Sequence, residues 1–210
     1  METQVLSSDA PQTILHAADV LRHGGLVAFP TDTVYGLAAS LQFPETIRKL
    51  YAVKGRPANK AIALLLASAS DLNQVTAGIS AAALLLAEAY WPGGLTLVAR
   101  RHPTLPREAT PDETVGVRVP DHPLALDLLR QTGPLAVTSA NRSGEPNSLN
   151  AADVHETFGG RVAVIIDGGT VPGGIPSTVV DCTVEPPMIL RAGPITEEQI
   201  RAVLQSPLAE

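Results

Sequence analysis

Five short apolar runs, at residues 26–29, 62–66, 95–99, 135–137 and 162–166, and one stretch at 115–119 that alternates valine with glycine and arginine, constrain this chain more than any other feature. Each is shorter than an ordinary buried helix, and their Val, Ile and Leu content reads as strands buried in a sheet. Helical spacing fills the gaps. Ile14, Leu15, Ala18 and Leu21 recur on one face before a Gly24-Gly25 stop, Pro44 and Glu45 open a helix over 44–51, and an Ala-rich helix spans 80–90 until Trp91-Pro92-Gly93-Gly94 breaks it. Further helices are expected near Asp71, over 123–130 and 151–157, and after Thr196, where Gln199 completes a capping box. A terminal strand pair is expected at 179–181 and 188–190. Strands interleaved with helices in this way predict an α/β protein.

Several strands empty into polar side chains. Run 26–29 leads into Pro30-Thr31-Asp32-Thr33, run 135–137 into Thr138-Ser139-Ala140-Asn141, and Arg118 projects from near the end of run 115–119. A glycine-rich loop over 168–174 leads to Pro176-Ser177-Thr178, and Arg191 follows the last strand. Loops beyond strand ends are where open α/β sheets bind ligands.

Charge adds a second constraint. The chain carries 15 basic and 21 acidic residues, a net charge of −6. Arg48, Lys49, Lys54, Arg56 and Lys60 fall within thirteen residues free of acid, which leaves 10 basic against 21 acidic residues, −11, elsewhere. Like charges so close repel one another unless solvent or an anion intervenes. Gly55 and Pro57 break any helix at this point, so the cations are expected on a shaped loop.

Composition excludes several classes. With 210 residues, 45% hydrophobic and 3% aromatic, one domain over 1–210 is expected, its core (about 14–204) built from Ala, Val, Leu and Ile. So few aromatics disfavour a base-stacking platform, and the acidic balance disfavours broad duplex binding. Cys182 is the only cysteine and the five histidines are scattered, so no disulfide and no metal site is expected. Residues 1–11 lack a secretory pattern, and the longest apolar stretch, 79–87, is far short of the roughly 20 residues that span a bilayer; a cytoplasmic protein is expected. No GxxxxGK[ST], GxGxxG or GxSxG motif occurs. Asp32 is open to two readings, a base or metal ligand and a turn-capping carboxylate.

Together, Pro30-Thr31-Asp32-Thr33-Val34-Tyr35-Gly36-Leu37, Lys54-Gly55-Arg56-Pro57, Trp91-Pro92-Gly93, Val117-Arg118-Val119-Pro120, Thr138-Ser139-Ala140-Asn141, Pro176-Ser177-Thr178-Val179 and Leu190-Arg191-Ala192-Gly193 resemble the YrdC/Sua5 family of threonylcarbamoyl-AMP synthases. The resemblance implies a twisted, open mixed sheet flanked by helices, with a positively charged cavity. It implies condensation of L-threonine, bicarbonate and ATP to threonylcarbamoyl-adenylate with release of pyrophosphate, the first step towards N6-threonylcarbamoyladenosine in tRNA. By that similarity Thr33, Arg118 and Ser177 would contact threonine. Lys54, Arg56, Lys60, Thr114, Ser139, Asn141, Asn147 and Arg191 would surround the nucleotide, with Lys54 and Arg56 closest to the chemistry. Mg²⁺ is expected from ATP chemistry, and a downstream threonylcarbamoyl transferase complex and a weak tRNA contact are expected as partners. Two positions depart from the family pattern: 62–66 lacks a histidine that some relatives use, and Arg142, read as solvated, replaces a more usual apolar residue. The rival readings are a paralogue that binds nucleotide or RNA without synthase activity, and a carbamoyl-transfer domain.

Overall fold

The computed structural model describes residues 2–172 and 174–205; Gly173, within the glycine-rich loop expected over 168–174, lies outside the described residues. Among the described residues, ten strands form one mixed sheet. In chain order they are β1 (Gln4–Ser7), β2 (Val27–Phe29), β3 (Gly36–Ser40), β4 (Ala63–Leu65), β5 (Leu95–Arg100), β6 (Thr114–Arg118), β7 (Leu135–Ser139), β8 (Val164–Asp167), β9 (Thr178–Asp181) and β10 (Met188–Arg191). Their lateral order is β1-β8-β2-β3-β7-β4-β6-β5-β9-β10. The pairs β1/β8, β2/β8, β4/β6 and β5/β9 are parallel, and the other five are antiparallel.

The helices are α1 (Thr13–Arg22), α2 (Pro44–Lys54), α3 (Leu72–Val75), α4 (Ala81–Tyr90), α5 (Pro123–Thr132), α6 (Ala151–Phe158) and α7 (Glu197–Gln205). Their ends follow the local chemistry. Ser80 caps α4 by accepting from the Ala83 N–H, and Asn150 caps α6 by accepting from Asp153. At α7 the Thr196 and Gln199 side chains accept from each other's backbone N–H, the expected capping box. Helix α1 packs on α5, and Ala17, Ala18 and Leu21 join Val27, Phe29, Leu128 and Leu129 in one core. A larger core on Ile47, Leu50, Leu64, Leu86, Leu97, Val117 and Phe158 lies under the remaining helices. Leu15, expected on the buried face of α1, is 55% exposed; Ala17 takes that place, because the buried stripe runs through Thr13, Ala17, Ala18 and Leu21.

Two strands were not expected. β1 has no apolar run and is mostly exposed, joined to the sheet through parallel pairing with β8. β3, Gly-Leu-Ala-Ala-Ser, is poor in strand-forming residues, and its place between β2 and β7 overrides that preference.

Sheet register lays out the floor of a cavity. Leu65 pairs with Arg118, Thr96 with Val179, and Val179 with Arg191, while Thr96 lies one residue past the Leu97–Val117 pair and so beside Arg118. One row across five strands therefore carries Leu65, Arg118, Thr96, Val179 and Arg191. In the row two residues away, Ala63, Gly116 and Val98 are small or medium-sized, which leaves depth above the sheet.

Candidate active site

Above this floor lies a cavity of about 400 Å³ lined by residues from seven strands and the loops that join them. Thr33, Arg56, Thr114, Arg118, Ser139, Ser177 and Arg191, separated by as much as the length from Thr33 to Arg191 in sequence, all line it. Ile62, Leu65, Val98, Val137, Val179 and Leu190 supply its apolar wall.

Arg118 anchors one side. Its side chain is 7% exposed, and its Nη2 donates to Asp32 Oδ1 at 2.5 Å, its Nη1 to Thr33 Oγ1 at 3.0 Å and its Nε to the Gly93 carbonyl at 2.8 Å. The contact of Asp32 matches neither of its two readings, base or metal ligand and turn-capping carboxylate: the carboxylate is the counter-ion that makes a buried guanidinium tolerable. Burial lowers the Arg118 pKa and Asp32 opposes that shift. The fork of Arg118 is thereby fixed in the plane of its partners.

Proton bookkeeping fixes the polarity of Thr33. Thr31 Oγ1 donates to the Val34 carbonyl at 2.6 Å, so in its 3.1 Å contact with Thr33 Oγ1 the proton belongs to Thr33. Thr33 also accepts from Arg118, which leaves one lone pair for a ligand donor.

Arg191 closes the opposite side. Its Nε and Nη2 donate to the Ser177 carbonyl at 3.0 and 2.7 Å, and Nη2 also reaches Ser177 Oγ at 3.1 Å. Burial lowers its pKa, and repulsion from Arg118 and Arg56 lowers it further. Three arginines thus face one space and feel one another.

The basic segment divides. Helix α2 runs three residues beyond the expected boundary, so Lys54 is its last residue rather than part of a loop. Gly55 then takes φ 62°, a left-handed conformation that glycine adopts without a Cβ penalty, and turns the chain so that Arg56 faces the cavity. Arg56 Nε and Nη2 donate to the Lys60 and Ala61 carbonyls at 3.0 and 2.7 Å. Lys54 does not line the cavity. It is 3% exposed and its Nζ faces four oxygens: Ser139 O at 2.5 Å, Asn141 O at 2.7 Å, and Ser139 Oγ and Asn141 Oδ1, each at 3.2 Å. Burial, and after it Arg56, lowers the Lys54 pKa to about 8. Asn141 lies behind the wall, its Nδ2 donating to the Arg142 and Glu145 carbonyls at 2.9 and 2.6 Å. Lys60 is exposed and does not line the cavity, and neither does Asn147, whose Nδ2 donates to the Gly174 carbonyl at 3.3 Å. Arg142 is exposed.

The family model Sua5_yciO_yrdC, described as telomere recombination, matches residues 19–193. The chain belongs to the Sua5/YciO/YrdC family. It is 43% identical to Bacillus subtilis threonylcarbamoyl-AMP synthase over 96% of this chain and 59% of the relative, and 36% identical to the human protein of that name over 88% and 68%. The crystal structure of P. abyssi Sua5 complexed with L-threonine superposes with a TM-score of 0.92 at 38% identity, covering 98% of this chain and 61% of the other. The chain thus spans about three fifths of the length of several relatives that it matches. The mixed α/β sheet flanked by helices is the fold of this family.

Thr96 and Thr138 line the cavity, and neither was assigned to a ligand in the sequence. Thr96 sits inside an apolar run, where a threonine is indistinguishable from an ordinary strand residue; only the lateral neighbour of its strand gives it a meaning. Thr138 precedes Ser139 in the Thr138-Ser139-Ala140-Asn141 motif, where a threonine also fits as an ordinary strand residue.

Proposed function

We propose that this protein condenses L-threonine, bicarbonate and ATP to L-threonylcarbamoyladenylate and releases pyrophosphate, acting as a nucleotidyltransferase. The observation that carries this reading is convergence: Thr33, Arg118 and Ser177, assigned to threonine, line the same cavity as Arg56, Thr114, Ser139 and Arg191, assigned to the nucleotide. The names of the relatives support the same reaction, and an L-threonine complex of P. abyssi Sua5 supports threonine as the amino acid.

In this reading the carbamate of threonine is already an anion, so its oxygen attacks the α-phosphorus without a general base. The protein contributes alignment and charge. Arg118 faces the threonine carboxylate, Thr33 accepts from a substrate donor, and Arg56 and Arg191 neutralise the triphosphate and the departing pyrophosphate. At an effective dielectric near 20, a cation about 4 Å from a phosphate charge contributes roughly 4 kcal/mol before desolvation is counted. An anion also relieves the mutual repulsion of the three arginines. Lys54, expected beside the chemistry, acts here from behind, holding the turn that presents Ser139.

Mg²⁺ finds no protein cage: among the described residues no group of three or more His, Cys, Asp or Glu is placed to hold a metal ion, and Asp32 is taken by Arg118. The ion would enter with ATP as part of the MgATP substrate. The product would pass to a threonylcarbamoyl transferase that modifies tRNA. No helix among the described residues is long and apolar enough to cross a membrane, in keeping with a cytoplasmic site of action.

The experiment is pyrophosphate release by the full chain supplied with threonine, bicarbonate and MgATP. Release well above a threonine-free control is expected. Release equal to that control, with nucleotide or RNA still bound, overturns the synthase reading in favour of the binding paralogue.

A further inference from the structure

One hydroxyl on the cavity floor has no role in the reading above. Thr96 is 5% exposed, and its Oγ1 lies 2.7 Å from Ser177 Oγ, itself 5% exposed. Threonine suits the strand, but a buried hydroxyl costs stability unless it is bonded, and Ser177 Oγ is the partner that it finds.

The neighbours fix how Thr96 stands. β5 lies between β6 and β9, and the Thr96 methyl faces the β6 side, where Gly116 has no side chain: a Cβ there would come 3.3 Å from Thr96 Cγ2. With its methyl over the glycine, the hydroxyl turns to the β9 side and Ser177. Gly116 thus gives the cavity depth and leaves room for this orientation.

Counting protons then gives the pair a direction. A hydroxyl oxygen carries one proton and two lone pairs. Arg191 is an obligate donor and takes one lone pair of Ser177 Oγ. The remaining contact runs from Thr96 to Ser177, leaving the Ser177 proton to the cavity, or the reverse, leaving that of Thr96. A guanidinium on its oxygen makes Ser177 the stronger donor of the two, and the strongest donor pairs with the strongest acceptor, here an anionic ligand. The chain Thr96–OH to Ser177 Oγ–H to anion is cooperative in that direction. Its polarity is opposite to that of Thr33, which offers a lone pair.

We propose that Thr96 is a positioning residue for the amino-acid substrate: by donating to Ser177 Oγ while Arg191 does the same, it makes Ser177 a dedicated proton donor to a carboxylate or carbamate oxygen. This deepens the synthase reading and rests on it, since Ser177 is there assigned to threonine. Thr96 itself does not touch the substrate.

The test is calorimetric titration of the full chain with L-threonine and, separately, with ATP. Thr96→Val removes the hydroxyl at nearly constant volume and is expected to weaken threonine binding roughly fivefold to tenfold, the scale of one hydrogen bond, with ATP affinity unchanged. Thr96→Ser is expected to restore threonine affinity to within about twofold of the parent. In a Ser177→Ala background, Thr96→Val is expected to cost nothing further. Should valine impair folding, Thr96→Ala, which cannot overpack, carries the same expectation, with ATP affinity reporting an intact cavity. Equal threonine affinity in the parent and Thr96→Val overturns the role of Thr96 alone. So does an equal fall in the Val and Ser variants, or full additivity with Ser177→Ala. A parent protein that binds ATP but no threonine overturns the synthase reading, and this role with it.

Discussion

Two sets of residues invite comparison: the five cations crowded between Arg48 and Lys60, and the scattered group Thr33, Arg118, Ser177 and Arg191. The crowded set disperses. Arg48 pairs with Glu108 on the surface, Lys49 and Lys60 are exposed, Lys54 is buried under the end of β7, and only Arg56 reaches the cavity. The scattered set converges on that same cavity, because parallel and antiparallel pairings bring the ends of β6, β9 and β10 to one edge of the sheet. Closeness along the chain is spent on turning corners, whereas closeness in the sheet builds the site.

Substitutions sharpen this contrast. The largest effect is expected of Arg118→Ala, which leaves the part-buried Asp32 carboxylate without its counter-ion. Stability should fall by about 3–5 kcal/mol in chemical denaturation, and threonine-dependent pyrophosphate release by roughly 100-fold or more. A merely modest loss of both would make the ion pair incidental. Lys54→Met should come next, orphaning the oxygens of Ser139 and Asn141. Denaturation should show a loss of about 1–3 kcal/mol together with a large loss of turnover. Arg56→Ala, two residues away, should cost turnover about 100-fold while leaving the denaturation midpoint unchanged. If Lys54→Met and Arg56→Ala behave alike, the division of the basic segment is wrong.

The lowered pKa of Lys54 gives a smaller, pH-dependent effect with a definite sign. The ammonium form makes the clamp, so turnover should be full below pH about 8 and decline above it as the proton leaves. Stability should move the other way: with an unfolded value near 10.5, the folded state holds fewer protons between about 8 and 10.5, so Lys54 favours the fold as pH rises through that window. A rate that falls while the melting transition does not is the expected signature, and a flat profile to pH 9.5 would contradict it. The smallest effect belongs to Lys60→Ala, within about twofold of the parent in the same assay, since an exposed side chain outside the cavity has little to lose.

Much of the fold was legible in the sequence. β2, β4, β5 and β7 are short apolar runs because their burial demands it, and the capping box before α7 is written in Thr196 and Gln199. β1 and β3 were not, one lacking an apolar run and the other built from glycine, alanine and serine. In the site, hydroxyls and cations at strand ends could be picked out, but their partners could not. Nothing in the sequence says that β5 lies beside β9, so the Thr96–Ser177 contact was invisible. Nor does it say that α2 ends beneath β7, so the bonds from Lys54 to the Ser139 and Asn141 carbonyls were not legible.

That one cavity holds both an amino acid and a nucleotide is tested most directly by a crystal structure of the full chain with L-threonine and a non-hydrolysable ATP analogue. The expected result is threonine on Thr33, Arg118 and Ser177, with the phosphates on Arg56 and Arg191 above the same sheet face. Ligands bound on separate surfaces, or phosphates held by Lys49 and Lys60 away from Arg191, would contradict it.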